Sequence, residues 1–205
     1  MISNTILSWP FATLVTALVM ASIVLRLLRI RQLHVGLPLV VILVLVALLP
    51  MPWGPGMWAR SYLGEFSISM GLLAVMFMQH RLGSPWYLPT SELRALNVLI
   101  VATAAWFYPM SLGLTYLDPY GLGFGDFRFS TALLLVGLAA WVMRAYGICL
   151  MLVAAQCAFA LRLLPSDNLW DYLLDPWLTA WSLGWLVRDY LLTRKARRTP
   201  VAAAA

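Results

Sequence analysis

Residues 162–198 read RLLPSDNLWDYLLDPWLTAWSLGWLVRDYLLTRKARR. Three aspartates, Asp167, Asp171 and Asp175, lead with Trp170 into an apolar run that opens on Pro176. The run ends in a basic tail of Arg194, Lys195, Arg197 and Arg198. Cytoplasmic flanks of membrane helices are enriched in Lys and Arg, so this helix has a direction across a bilayer. It places the C-terminus inside and, by parity, orients every earlier span.

Composition supports that reading. Apolar residues make up 62% of the 205 residues and charged residues 11%, against about 45–50% and about 25% in soluble domains. A soluble domain of this length cannot bury so much apolar surface, so the chain reads as an all-α, polytopic membrane protein in contact with the lipid bilayer. The net charge of +6 sits beside apolar runs, which is an orientation signal and not the footprint of a nucleic-acid partner. Cys149 and Cys157 share one apolar segment and read as small buried hydrophobes, with no CxxC pair. Residues 1–9 hold no Lys or Arg, and a first apolar run reaching residue 28 is too long for a signal-peptide core, so it is expected to be a retained span.

Seven spans are predicted, at residues 6–28, 35–49, 61–80, 93–114, 131–143, 148–164 and 176–192. The break after the second is a Pro/Gly cluster, Pro50 to Gly56, with Trp53 and Trp58 at a bilayer interface. Residues 81–91 form a loop carrying Trp86 and Tyr87. The region 131–164 decides the count. As one helix it would be about 50 Å long, against a hydrocarbon core of about 30 Å. It would also hold Arg144 near the bilayer centre, at about 2.5–3.5 kcal/mol or more. A hairpin at residues 144–147 removes both problems. With the N-terminus outside, Arg26, Arg29, Arg31, Arg81, Arg94, Arg144, Arg188 and the tail fall inside, and only Arg60, Arg128 and Arg162 outside. Residues 1–193 are read as one transmembrane helical domain and 194–205 as a basic, then Ala-rich, cytoplasmic tail.

The acidic residues segregate the other way. Asp118, Asp126, Asp167, Asp171 and Asp175 all fall on the outer face. Acidic residues do little to set topology, so the cluster calls for another cause. Asp167, Asp171 and Asp175 would share one face of a continuous helix and could hold Mg²⁺ or Ca²⁺ against a phosphate. Their spacing resembles the Asp-rich motif of the intramembrane aromatic prenyltransferases. Those enzymes carry two such motifs on the cytoplasmic side. One motif on the outer side does not place this chain among them. The competing reading is capping: Asp175 before Pro176 as an N-cap, and Ser166 or Asp167 capping a short interfacial helix. Asp171 is then left without a local role.

Asp118, Asp126, Arg128, Asp167, Trp170, Asp171 and Trp177 are the candidate partner or ligand contacts. Trp177, Trp181 and Trp185 recur every four residues and read as a packing stripe. Three polar residues fall within predicted spans: Glu65, Asn97 and Gln156. Glu65 reads equally as a proton or cation site and as a headgroup-depth residue. Gln156 is expected to bond across a close helix contact at Ala154 and Ala158. His34 and His80 both fall at inner ends, so no intramembrane pair ligates haem. HExxH, GxSxG and Walker motifs do not occur. Size and topology are similar to the membrane glycerol-phosphate acyltransferases, whose glycine-rich cytoplasmic motifs are missing here. No cofactor is indicated.

Three functions are compatible with this pattern. The favoured one is a non-catalytic subunit or scaffold of an envelope-associated complex, because transport paths and catalytic centres need more intramembrane ionisable groups. The others are a small transporter or substrate-binding membrane unit, and an enzyme acting on a lipid-linked or phosphate-bearing substrate at the outer face. Arg is used almost to the exclusion of Lys, which suggests a bacterial inner membrane. Reporter fusions near Pro55, Gly123 and Asn168 are expected to read outside, and near Leu33, Ser84 and Lys195 inside. An inside signal at Asn168 would overturn the seven-span arrangement.

Overall fold

The computed structural model describes residues 3–83 and 88–198. Trp86, Tyr87 and the Ala-rich end of the tail lie outside the described residues. Of the described residues 78% are helical and none is in a strand, which makes the fold all-α. The helices are α1 (Ser3–Leu27), α2 (Leu33–Ala47), α3 (Pro55–Leu63), α4 (Ile68–Arg81), α5 (Thr90–Pro109), α6 (Phe127–Val142), α7 (Tyr146–Ala160), α8 (Leu169–Leu173) and α9 (Pro176–Arg198). A π turn (Met110–Leu114) extends α5, and a 3₁₀ turn (Tyr120–Gly123) precedes α6.

The centre is α1 packed on α4 and α4 on α7, with α2 flanking α1 and α6 flanking α7. The pair α5 and α9 closes against α4 and α7. Small and branched residues allow this close approach. Ala12, Val15 and Val19 of α1 share a core cluster with Ala74 of α4 and Ala155 and Ala158 of α7. At Gly71 an added Cβ would lie 3.0 Å from Val15 Cγ1, so the Val15 side chain of α1 packs directly on the α4 backbone there.

The hairpin forms where it is predicted. α6 ends at Val142, and Ala145 donates its N–H back to the Ala140 carbonyl. Arg144 takes φ 61° there. Arg29 after α1 (φ 56°) and Arg162 after α7 (φ 51°) close their helices in the same way. This left-handed position usually takes glycine. An arginine there costs roughly 1–2 kcal/mol of backbone strain and recovers part of it, about 0.3–1 kcal/mol, by placing positive charge at a helix C-terminus.

One predicted span is corrected. Residues 61–80 are not a continuous helix: the chain leaves α3 at Gly64 (φ 79°) and enters α4 at Ile68. Glycine permits the reversal, and Ser67 caps the new helix by accepting the Met70 N–H. Glu65 therefore lies in the break between two helices. It pairs with Arg60 at 2.5 Å, and Arg60 also donates to the Trp9 carbonyl and Thr13 Oγ1. At the other end, α9 continues to Arg198, so Arg194 and Lys195 extend a helix instead of starting a separate tail.

Two helices, Ser8–Leu27 and Thr90–Leu114, are long and apolar enough to cross a bilayer. α2, α6 and α7 are apolar but hold 15–16 residues, about 22–24 Å of rise. Helix length alone therefore does not give seven spans. Large apolar side chains nonetheless cover the outside of the bundle: Leu37, Ile42 and Leu45 on α2, and Leu135, Leu138 and Val142 on α6, are all exposed. Apolar surface of this extent marks a lipid or protein neighbour.

The start of α9 is tied to the start of α4 through Asp175, which is buried. Its Oδ1 accepts the Leu178 N–H at 2.8 Å, the N-cap bond expected from Asp-Pro. Its Oδ2 accepts the Ser67 N–H at 2.9 Å and the Ser67 hydroxyl at 2.6 Å. Asp175→Ala strands two buried N–H groups and is expected to cost about 2–4 kcal/mol. Asp175→Asn keeps one acceptor oxygen and should cost about 1 kcal/mol. Thermal unfolding in detergent measures both; equal stability of the two variants would mean that the carboxylate is not the joint.

Candidate functional site

Asp167, Asp171 and Asp175 do not form one ligand face. Helix α8 is only five residues long and ends before Asp175, so no continuous helix carries Asp167, Asp171 and Asp175 on one face. Asp175 is turned into Ser67, and Asp167 is exposed. Asp171 Oδ2 accepts from Tyr120 Oη at 3.1 Å and from Ser166 Oγ. Asp126 caps α6 through the N–H groups of Arg128 and Phe129. Asp118 accepts the Tyr120 N–H in a local turn. Arg128 is exposed. Among the described residues no group of three His, Cys, Asp or Glu side chains is placed to hold a metal ion.

The residue that caps α8 is Asn168, not Ser166 or Asp167. Its Oδ1 accepts the Trp170 N–H at 2.9 Å, and its amide donates to the Tyr120 carbonyl at 2.9 Å. Ser166 instead accepts the Asn168 N–H and donates to Asp171. Asn168 is fully buried against Gly123, where an added Cβ would lie 1.8 Å from Asn168 Oδ1. Any residue but glycine at 123 would push the two loops apart.

Trp170 is also corrected: it is buried, not an exposed anchor. Its ring lies between Phe107 and Phe129, at centroid distances of 4.4 and 4.6 Å, and its Nε1–H donates to the Pro119 carbonyl at 2.8 Å. Trp177 is exposed and donates to the Leu63 carbonyl. Trp181 meets Phe77 edge to face at 5.0 Å, and Trp185 packs on the same cluster, so two of the three tryptophans pack as predicted. Gln156 reaches only its own helix, at the Leu152 carbonyl. Asn97 is fully buried and likewise donates to its own helix, at Leu93, leaving Oδ1 without a partner among the described residues.

Two cavities flank α9. The outer one, about 540 Å³, brings Glu65, Asp171 and Asp175 to one space with Tyr108, Ser111 and Tyr120. Ser111 Oγ is buried without a hydrogen-bond partner among the described residues, and Tyr108 Oη faces Thr179. Carboxylates beside an unsatisfied hydroxyl suit a polar or cationic guest. The inner cavity, about 940 Å³, lies between α1, α4 and the middle of α9. Sequence reasoning missed it, because its walls come from three helices far apart in the chain, α9 lying about a hundred residues or more beyond the other two. Nothing local marks Tyr120 as the partner of Asp171 either. Asn168 before Leu169 is a readable N-cap signal.

No family model, curated protein or solved structure matches the chain.

Burial, then the Asp171 charge, raises the Tyr120 phenol above its ordinary 10.0. Burial raises Tyr172 too, partly offset by its hydrogen bond with the Leu164 backbone. Raised folded values mean that the folded loops keep protons which the unfolded chain has lost. Stability is thus intact below pH 10.0 and falls as pH rises through the folded values. Near-ultraviolet circular dichroism against pH should show the outer aromatic cluster loosening on the alkaline side, less steeply in Tyr120→Phe. At neutral pH, Trp170→Ala should cost about 3–5 kcal/mol. A stable Trp170→Ala chain would contradict the buried placement.

Proposed function

We propose that the chain is a seven-span protein of a bacterial inner membrane, with its N-terminus outside and its C-terminus cytoplasmic. We propose further that it serves as a non-catalytic subunit or scaffold of an envelope-associated membrane complex. The spans would be α1, α2, α4, α5, α6, α7 and α9, with α3 and α8 at the outer interface. The reversal at Arg144 supports the odd count, because it returns the basic end of α9 to the side of Arg26, Arg81 and Arg144.

One observation favours a protein partner. The loop between α5 and α6 exposes Tyr116, Leu117, Phe124 and Phe127, beside Asp118 and Arg128. Aromatic residues next to charges are the usual anchors of an interface. The polar groups behind that loop are already bonded within the chain: Asp171, Asn168 and Trp170 hold it in place. The partner contact proposed earlier for Trp170 and Asp171 thus moves to Tyr116 and Phe127. A second reading, a substrate-binding membrane unit, is favoured by the unpartnered Ser111 hydroxyl of the outer cavity, beside the Asp171 carboxylate.

Extraction in a gentle detergent is expected to recover at least one other membrane protein with the chain. Replacing Tyr116 and Phe127 together by Ala should release it without lowering the thermal midpoint, since both side chains are exposed. A chain recovered alone, with its stability raised by a small polar solute and not in Asp171→Asn, would support the second reading against the first.

A further inference from the structure

The inner cavity has two chemically distinct parts. Its walls are apolar and aromatic: Met70, Leu73 and Phe77 on α4, and Trp181 and Trp185 on α9. Its mouth is basic, with Arg26 and Arg31 beside α1, Arg81 ending α4, and Arg188 on α9. Arg26, Arg31 and Arg188 are exposed and have no carboxylate partner among the described residues. The one carboxylate at the mouth, Asp189, is held by Arg94 at 2.8 Å. Arg81 points its Nε at the Ile30 carbonyl, which fixes one edge of the mouth. Basic residues at inner helix ends are ordinary in membrane proteins, but that pattern needs no cavity beneath them.

The depth of the cavity is the second observation. It follows α4 from Met70 to Arg81 and α9 from Trp181 to Leu192, a rise of about 17 Å on each helix. That covers nearly all of α4 and the middle of α9, and it is about half of a hydrocarbon core of about 30 Å. Ile23 and Leu192 line the cavity and are also exposed, so it opens sideways as well as downwards. Gly184 lies on its wall between Trp181 and Trp185. A Cβ at Gly184 would meet nothing within 4 Å, so the space is open there.

We propose that this cleft is a binding site for a single phospholipid of the inner leaflet with an anionic headgroup. Its phosphate sits among Arg26, Arg31 and Arg188, and one acyl chain lies along α4 and α9 past Gly184. The proposal rests on the membrane orientation given above, but not on the scaffold role. Positive charge at leaflet depth beneath a cytoplasmic surface favours anionic over zwitterionic headgroups. A free phosphate would use the mouth alone and gain nothing from the tryptophan wall.

The test uses the full chain purified in detergent, with native mass spectrometry reading the lipid retained. Phosphatidylglycerol, phosphatidylcholine and inorganic phosphate are the probes. One phosphatidylglycerol per chain should be retained in preference to phosphatidylcholine, and phosphate should not displace it. Gly184→Phe fills the cleft without a clash at its Cβ, and should abolish retention while the thermal midpoint holds. Arg26→Gln and Arg188→Gln should each weaken retention about fivefold, whereas Arg128→Gln, on the outer loop, should not. Equal retention of phosphatidylcholine, displacement by phosphate, or retention by a folded Gly184→Phe chain would each overturn the lipid site. Reporter fusions read the orientation separately: lost retention with Ser84 cytoplasmic refutes the site alone, and Ser84 outside refutes the orientation beneath it.

Discussion

The fold depends on one carboxylate. Asp175 spends both oxygens inside the protein, one on the start of its own helix and one on Ser67. Two helix N-termini are thereby joined at the same depth, and their partial positive charges share one negative group. Leu178, fully buried one turn into α9, packs beside this joint. Trp177 adds a bond from α9 to the end of α3. From the common start, α4 and α9 run towards their basic ends, and the basic-mouthed cleft lies along α4 from Met70 to Arg81 and along the middle of α9. The joint and the cleft are two ends of one arrangement.

The outer face shows how a cluster of acids can arise without a ligand. Helices that begin there leave N–H groups without intrahelical partners, and aspartate and asparagine are the residues that satisfy them. Asp126 serves α6, Asn168 serves α8 and Asp175 serves α9. Asp171 is the exception, held by Tyr120 and Ser166 at the edge of the outer cavity. It shares that cavity with Tyr108 and with Ser111, whose hydroxyl has no partner among the described residues. The aromatic cluster around Trp170 then binds the loop before α6 to α8, so the face is rigid where its polar groups are buried. It is exposed at Tyr116 and Phe127.

α2 and α6 turn large apolar side chains outwards, which a soluble fold would have to cover. Three arginines close helices in a backbone region that favours glycine. The positive charge at each helix C-terminus offsets part of that backbone cost.

Composition and charge order by themselves determined the all-α class, most of the long helices and the turn at Arg144, because apolar length and a charge within an apolar run are local features; the break at residues 64–67 was not legible. The sequence also marked Asp175 as a cap, since Asp-Pro carries that geometry in two residues. It could not show that the same carboxylate takes Ser67, 108 residues away, nor that Trp170 turns inwards. It placed Glu65 inside a span, where only the break at Gly64 and the pairing with Arg60 put it outside one. The inner cleft was invisible for the same reason: α1, α4 and α9 each read as an ordinary apolar helix with a basic end. Their alignment into one basic-mouthed wall is a product of packing between distant segments, which tertiary structure alone decides.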